Sequence, residues 1–376
     1  MSRKFYRLYS LTALLCAILF LSGTRAVRAQ AICNAPYLVE QSFPVGAPEQ
    51  TRWSLCWQPQ NQNGLVITAA YFRKSPGSPW IKVFHDARIA EIFVPYHDDS
   101  NRFYDVSLFN FPLIPLNAND CPASVGGSVI GGVVCKEVKD RGLLWKDDTV
   151  VKRGQQLVLW GALDAVNYNY IIEWTFRDDG VILGRLAATA VNYPGAETVP
   201  HMHGPVWRLD IDLNGSGGDS VGKSVHTETG KTASDTMTMI TNESGIKWDP
   251  LAFNSLHISD SVLKNGRGST TEYDLMPSRE GTPRHDEPFT QNDFWVTKYK
   301  YGETLAPSLP KYISDPTAEA VSNTDIVVWY YSGLHHHPRD EDGQVVGDLW
   351  KGEALAMWTG FMLMPRNLFD TTPFFP

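Results

Sequence analysis

The sequence lacks a concentration of positive charge. Its 33 Lys and Arg residues are outnumbered by 41 Asp and Glu residues, and the formal net charge of −8 is spread along the chain. A nucleic-acid surface needs a basic patch that neutralises phosphates. The composition therefore predicts no nucleic-acid partner, and a small or cationic ligand suits the chain better.

Long apolar runs are also missing after the N-terminus. The first thirty residues hold Arg3, Lys4 and Arg7, then an apolar run over 11–21 and a small-residue ending over 26–29, which is typical of a signal peptide. The apolar run is too short to span a bilayer as a helix. We expect a signal peptide over 1–29, a mature chain that begins near Gln30 and has no membrane partner, and a secreted or periplasmic location.

Cysteine is scarce, with five residues, and no two of them have the Cys-x-x-Cys spacing of a metal site. Cys16 lies in the predicted signal peptide. The other four are an even number in an oxidising compartment, which indicates two disulfides. The pairs Cys33–Cys56 and Cys121–Cys135 close short loops, although the sequence alone permits three connectivities.

Long stretches of helical period are rare. From Leu65 onward, short β-branched and aromatic runs alternate with Gly, Pro, Asn and Asp, and 43% of the residues are hydrophobic. The clearest hairpin joins 170–176 to 181–191 through a turn at 178–180. The polar stretch 215–284 predicts long loops with weaker strands. We expect an all-β chain that forms one large β-sandwich. Further strands are predicted at 66–72, 90–94, 156–160, 207–213, 325–331 and 354–363.

Histidines and aspartates alternate near the middle of the chain. His201 and His203 are two residues apart, so both point to one face of a strand, whereas Asp210 and Asp212 have the opposite parity. A nitrogen site suited to copper or zinc and an oxygen site suited to calcium are both conceivable. The alternatives are a chance His-x-His pair in a loop and aspartates that face solvent. Of the three consecutive histidines at 335–337, one or at most two can join a given site, and a solvated histidine loop is the alternative.

Several segments resemble motifs of the copper amine oxidases. The run Asn-Tyr-Asn-Tyr at 167–170 resembles the motif whose tyrosine becomes topaquinone. Residues 201–203 with 208–212 resemble the two-histidine copper motif and the Asp-x-Asp that follows it. Residues 333–342 resemble the segment with the third copper ligand, and the match selects His336. The ending over 364–370 also resembles the family, and the order of the motifs is the family's order.

Upstream segments extend the resemblance to about residue 91. Residues 94–96 and 103–105 resemble the segments that carry a cofactor-bonding tyrosine and a catalytic aspartate. The stretch from Cys121 through Cys135 to 142–146 resembles the family's disulfide and the strand after it. The resemblance implies a catalytic domain over 91–376 of the copper amine oxidase β-sandwich type, with a short N-terminal segment over 30–90 packed on it.

The resemblance also implies an activity. A primary amine would be oxidised by dioxygen to an aldehyde, with release of ammonia and hydrogen peroxide, by an enzyme that forms a homodimer. The implied site residues have separate roles. Copper would bind His201, His203 and His336, and topaquinone would form from Tyr168. Asp105 would be the base, Tyr96 would hydrogen-bond the cofactor and Asn167 would orient it. Calcium would bind Asp210, Asp212, Asp325 and the carbonyls of Ile211 and Ile326.

Two other functions stay open from the sequence. The first is a copper-binding relative that keeps the metal site without turnover. The second is an extracellular binding protein whose histidines hold zinc in a structural role, which predicts a closed four-ligand site.

Overall fold

The structure is a computed structural model that describes residues 33–314, 317–340, 342, 344–346, 349–351 and 356–374. The predicted signal peptide at 1–29 lies outside the described residues. Strands dominate the described part of the chain. Strands β1 to β11 are Leu38–Phe43, Thr51–Gln60, Gly64–Arg73, Ile81–Pro95, Arg102–Tyr104, Gly127–Ile130, Val134–Lys146, Val151–Ala165, Tyr168–Arg177, Ile182–Ala190 and His201–Ile211.

The second half of the chain continues the same pattern. Strands β12 to β22 are Asp219–Thr229, Thr232–Ile240, Ser244–Ile246, Ser255–Lys264, Thr270–Ser278, Phe294–Lys298, Ile326–Tyr331, Leu334–His336, Gln344–Val346, Leu349–Lys351 and Met357–Arg366. The helices described are short. They are the α-helix α1 at Leu309–Ser314 and three 3₁₀ turns at Ala123–Val125, Pro288–Thr290 and Ala306–Ser308. None of the described helices has the length and apolarity needed to cross a bilayer.

Two large antiparallel sheets form a sandwich. The first sheet has the order β1-β2-β3-β4-β11-β18-β17-β14, with β5 added beside β4 and β19 beside β11. The second sheet has the order β13-β12-β15-β16-β22-β10-β9-β8-β7-β6. This arrangement confirms the predicted all-β class and the predicted large β-sandwich.

The core lies between the two sheets. Trp174 on β9 meets Trp207 on β11 edge to face, with ring centroids 5.4 Å apart, and Phe361 on β22 packs on both. All three side chains are buried. Burial of each such ring contributes about 1.5–3 kcal/mol, so this contact fixes how β9 and β11 face each other.

A second apolar cluster covers the outer face of the first sheet. Val206 and Trp329 on that face pack with Phe289, Ala306 and Leu309 from the short helical segments. Consequently β11 is buried along its whole length, with apolar residues of alternating parity directed to two different cores.

The predicted strands and the hairpin at 170–191 overlap β3, β4, β8, β9, β10, β11, β18 and β22. The prediction of long loops with weaker strands over 215–284 understated the strands, because this stretch contains the five strands β12 to β16. Strand β13 is an edge strand that is exposed except at its last residue. It therefore lacks the buried alternation that marks a strand, and only its Thr content favours one.

Both expected disulfides, Cys33–Cys56 and Cys121–Cys135, are formed. The segment 30–90 supplies β1 to β3 and most of β4 to the first sheet. The expected boundary at residue 91 falls inside β4, which pairs with β11 on both sides of that residue. The division into a short N-terminal segment and a catalytic domain stays a prediction.

Candidate metal centre

A tight turn places Tyr168 at the inner face of the second sheet. Ala165 on β8 pairs with Tyr168 on β9, so Val166 and Asn167 alone make the turn. Val166 has a φ of 64°, which β-branched residues rarely adopt, and such strain is concentrated at functional sites. The alternation along β9 then buries Tyr168 and Tyr170 and leaves Asn169 between them exposed.

Three histidines meet these tyrosines from the first sheet. Strand β19 pairs with β11 so that His336 lies opposite His201, while His203 lies opposite Leu334. His201, His203 and His336 are buried, and one ring nitrogen of each lies within 4.8 Å of the other two. We call these three residues the nitrogen site. The neighbours at 335 and 337 are half-buried and exposed, so a single member of the histidine run joins the site.

The outward nitrogen of each imidazole has a partner. Nδ1 of His201 donates to the Val199 carbonyl at 3.0 Å, and Nε2 of His336 donates to Oδ2 of Asp342 at 2.8 Å. Nδ1 of His203 lies 3.0 Å from the Tyr170 hydroxyl, which itself donates to Asp105. Since these partners accept protons, each neutral ring keeps a lone pair on its inward nitrogen.

The ring nitrogens that face one another in the nitrogen site carry too few protons to hydrogen-bond with all of their neighbours. Nε2 of His201 and Nδ1 of His336 are 3.2 Å apart, and the Tyr168 hydroxyl lies 2.9 Å and 3.1 Å from them, with one proton to give. Nε2 of His203 is buried and has no hydrogen-bond partner among the described residues. A cation that accepts three lone pairs would satisfy all of these atoms.

Burial holds the three rings in the neutral form. Desolvation lowers the pKa of His201 to about 3 and the pKa of His203 further below its ordinary value. Burial also lowers the pKa of His336, although Asp342 opposes the shift. Three neutral imidazoles suit Cu(II) or Zn(II). The residues present therefore fit a copper ion.

Asp105 lies behind the tyrosines, directly after β5. Its carboxylate is buried, and its Oδ2 accepts a hydrogen bond of 2.7 Å from Tyr170. Desolvation raises the pKa of Asp105 to about 7, against the hydrogen bond from Tyr170, and Glu91 adds to the rise. A carboxylate with a pKa near neutrality is suited to accept and return a proton.

Glu91 fixes the loop that carries Asp105. It lies within β4 with no exposed surface and accepts hydrogen bonds from the Val106 amide at 2.8 Å and the Ser107 hydroxyl at 2.5 Å. This role was not predicted from the sequence. The available signal was a single acidic residue, Glu91, inside the apolar run 89–94.

One cavity joins the predicted residues. A space of about 220 Å³ is lined by Tyr96, Asp105, Asn167, Tyr168 and further aromatic side chains. The ring of Tyr96 stacks on His201, with centroids 4.3 Å apart and planes 10° apart. No hydrogen bond joins the hydroxyls of Tyr96 and Tyr168 in the described part of the chain. The Asn167 amide donates to the Val191 carbonyl at 3.1 Å and thereby holds the turn before Tyr168.

The opposite face of β11 carries the predicted oxygen site. Asp210, Asp212 and Asp325 bring one carboxylate oxygen each within 4.8 Å of the others. Asp210 and Asp212 are buried and do not face solvent. Ile211 is the last residue of β11 and Ile326 the first of β18, so both backbones run beside the cluster.

Asp219 is a fourth acidic residue that the sequence analysis missed. Its side chain is 0% exposed, and it repels Asp212 and Asp325 electrostatically. Its backbone forms a bridge to Thr324, the residue before Asp325. We call Asp210, Asp212, Asp219 and Asp325 the oxygen site. Only the approach of β12 to residue 324 brings Asp219 there, and the sequence gives no sign of that contact.

The oxygen site has more negative charge than its cations balance. Lys82 pairs with Asp212, and Arg208 lies 3.4 Å from Asp210, yet five carboxylate oxygens of the site have no partner among the described residues. Desolvation and like charges raise the pKa of Asp210 to about 8, of Asp219 to about 9 and of Asp325 to about 6. Several carboxylate oxygens gathered with too few cations to balance them suit a hard cation.

Fold and geometry together define a β-sandwich in which three buried imidazoles that could bind a metal ion lie under a tyrosine hydroxyl. A family profile described as copper amine oxidase, enzyme domain, matches residues 128–375. That match covers most of the chain and all three histidines. The chain therefore belongs to the copper amine oxidase family.

Individual relatives agree with the family assignment. The chain is 26% identical to the copper-containing amine oxidase gamma 2 of Arabidopsis thaliana over 85% of its own length, and 23% identical to a primary amine oxidase of Pisum sativum over 82%. It spans 58% and 56% of those two proteins. The chain thus spans little more than half the length of these two relatives.

Solved structures share the fold. A copper-containing benzylamine oxidase from Hansenula polymorpha superposes with a TM-score of 0.68 at 19% identity, covering 86% of this chain and 60% of that one. An amine oxidase from Aspergillus nidulans also gives 0.68, at 18% identity, with 86% and 52% covered. At these identities the likeness concerns the fold alone.

Proposed function

We propose that this chain is a copper-dependent primary-amine oxidase. The overall reaction is RCH2NH2 + O2 + H2O → RCHO + NH3 + H2O2. The observation that carries the proposal is the convergence of three imidazole lone pairs beneath the Tyr168 hydroxyl, in a cavity that Asp105 also lines. Membership of the family supports amine oxidation in general.

Copper would be held by Nε2 of His201, Nε2 of His203 and Nδ1 of His336, the atoms that face one another. Val199, Tyr170 and Asp342 fix the three rings through the outward nitrogens. Such outer partners set the orientation and basicity of metal-bound imidazoles. The chain thus supplies both the ligands and the groups that orient them.

Tyr168 is the residue we propose to be converted to topaquinone. Its hydroxyl lies 2.9 Å and 3.1 Å from two of the three proposed ligand atoms, so its ring is placed for copper-assisted oxidation. Copper with a quinone made from Tyr168 would supply an electrophilic carbonyl and an acceptor that passes two electrons from the amine to dioxygen. Tyr96 and Asn167 restrain the surroundings, through the stack on His201 and the bond to Val191.

Asp105 is the proposed base. Its carboxylate takes a proton from the substrate carbon that bears nitrogen, and its pKa of about 7 makes that transfer reversible near neutral pH. Tyr170 holds the carboxylate by a 2.7 Å hydrogen bond, and Glu91 holds the loop behind it. The apolar walls of the cavity exclude water from this transfer.

We further propose that the oxygen site binds calcium through Asp210, Asp212 and Asp325, with carbonyls of Ile211 and Ile326. The unpartnered carboxylate oxygens of Asp210, Asp212 and Asp325 support this assignment. We also propose export of the chain, for which the N-terminal pattern and the two disulfides are the support. Homodimer formation stays a prediction.

The first experiment tests Tyr168. The chain from Gln30, prepared without copper, is given Cu(II) in air and then phenylhydrazine, a carbonyl reagent. We expect a visible quinone band and a mass adduct on Tyr168, neither of which forms in Tyr168→Phe. Copper binding without an adduct would refute the oxidase and favour the non-catalytic copper-binding relative.

The second experiment tests Asp105. For Asp105→Asn we expect adduct formation at Tyr168 to persist while kcat/KM for amines falls by about 10²–10⁴-fold, the usual contribution of a positioned base. In the unsubstituted enzyme, kcat/KM should fall as the pH drops through about 7, because Asp105 then takes up a proton. Asp98→Asn, at an exposed residue outside the cavity lining, is the control and should keep full activity.

A further inference from the structure

The cavity beside Tyr168 has an uneven distribution of charge. Among the lining residues that the structure describes, Asp105 alone carries a formal charge. Its carboxylate lies at the inner end, bonded to Tyr170. At about 220 Å³ the cavity is smaller than the 300–1,000 Å³ typical of sites for drug-sized ligands, so it suits a small amine.

Three aromatic rings form the wall next to Tyr168. Phe103 packs edge to face on Tyr193 at 5.3 Å and on Tyr96 at 6.1 Å. Tyr96 and Tyr193 are 6.4 Å apart in the same edge-to-face manner. These mutual contacts hold the rings in fixed positions, so the wall is rigid, uncharged and mainly aromatic.

A second aromatic pair lies at the opening. Phe109 and Phe111 are stacked at 5.1 Å with planes 6° apart, and both line the cavity. Phe109 is 38% exposed and Val166 73% exposed, which marks this end as the mouth. Among the described lining residues, a ligand that reaches from Tyr168 to the mouth therefore passes uncharged side chains only, most of them aromatic or aliphatic.

We propose, on the basis of the amine oxidase function above, that this cavity selects primary amines with an aromatic or apolar tail over diamines. The reacting nitrogen lies near Tyr168 and Asp105, and the tail packs on Phe103, Tyr193 and Phe109. The second ammonium group of a diamine would lose its hydration and contact a wall that has no carboxylate to pair with it. Cation–π contacts compensate that loss in part, but at an exposed mouth they are weak.

The test compares kcat/KM for 2-phenylethylamine and 1,4-diaminobutane. We expect a preference for the aromatic amine of at least about tenfold, the scale of a small change in apolar contact. Phe109→Asp places a carboxylate at the mouth and should reduce that preference by about tenfold. The matched control is Leu108→Asp, which adds the same charge at the neighbouring exposed residue outside the lining and should leave the preference unchanged.

A binding measurement distinguishes the proposed preference for aromatic amines from the proposed oxidase reaction. Neither 2-phenylpropan-2-amine nor 2,5-dimethylhexane-2,5-diamine has a hydrogen on the carbon that bears nitrogen, so neither can be oxidised. Calorimetry on the copper-loaded chain should show tighter binding of the aromatic amine than of the diamine. If this preference is found but no amine is turned over, the proposed preference stands and only the oxidase proposal fails. Tighter binding or faster turnover of the diamine would overturn the inference while leaving the oxidase intact.

Discussion

The nitrogen site and the oxygen site share strand β11, which carries His201 and His203 of the first and Asp210 of the second, and the chain prepares them differently. His203 and Asp210 are seven residues apart, or about 23 Å along an extended strand. In the nitrogen site every outward ring atom has a fixed partner, and the inward atoms are neutral. In the oxygen site the carboxylates repel one another, and five of their oxygens have no partner among the described residues.

A bound ion would therefore contribute differently to the two sites. At the nitrogen site the geometry is set before an ion arrives, because protein groups orient the rings. At the oxygen site the acidic groups are costly to bury together, so a cation would relieve repulsion as well as bind. Alternation of side chains along one strand permits both kinds of site, since the histidines and the aspartate of β11 leave the strand on opposite faces.

The largest effect expected is loss of a ligand from the nitrogen site. His203→Ala should weaken Cu(II) binding by about 10²–10³-fold, the share of one ligand in a site that binds with about 10–16 kcal/mol in all. Competition with a chelator measures it. His335→Ala, one residue before the proposed ligand His336, should leave the affinity unchanged, and equal losses in both variants would contradict the assignment.

How far the sequence predicts these sites depends on the distance over which each residue acts. His201 and His203 follow from strand parity, and the sandwich follows from the short β-branched runs, because both are local patterns. The selection of His336 came from resemblance, and the β11–β19 register explains it. The role of Asp219 could not be predicted, and the sequence marked Glu91 only as an acidic residue in an apolar run, because both roles depend on contacts made by distant parts of the chain.

A second prediction concerns pH. Without metals, His201 is neutral in the folded chain down to about pH 3 and in the unfolded chain only above about 6.5, so stability falls as pH drops below 6.5. Asp210 and Asp219 stay protonated when folded up to about pH 8 and 9, yet ionise near 3.8 when unfolded. Stability should therefore fall by about 2–3 kcal/mol between pH 6.5 and 8, as measured by urea unfolding with a chelator present.

Calcium distinguishes the source of that loss. Saturating Ca²⁺ should flatten the decline above pH 6.5, because it binds the ionised carboxylates of the oxygen site. His257 contributes a decline of the same sign, since Asp274 and Glu272 raise its pKa to about 9 against the effect of burial. That part should persist in Ca²⁺ and disappear in His257→Gln. A stability that rises over this range would refute the charge balance described for the oxygen site.

A third prediction tests the outer partner of His336. Asp342→Ala should weaken Cu(II) binding by about 10–100-fold, because Asp342 fixes the ring and its tautomer through Nε2. The affinity for Ca²⁺ should not change. Asp340→Ala removes an exposed carboxylate two residues away and serves as the control. If both variants bind copper equally well, the Asp342 contact has no part in the metal centre.

The smallest effect expected concerns ion binding at the oxygen site and should leave the nitrogen site unchanged. Asp219→Asn should weaken Ca²⁺ binding by about tenfold, because it removes one negative charge beside the proposed ligands Asp212 and Asp325. It should leave Cu(II) affinity unaltered, since the two sites lie on opposite faces of β11. Calorimetry on the copper-loaded chain measures both, with the exposed Asp164→Asn as the control for a charge lost elsewhere. Unchanged Ca²⁺ binding in Asp219→Asn would mean that Asp219 is buried beside the oxygen site without belonging to it, and its two unpartnered oxygens would then be a fixed cost of the fold.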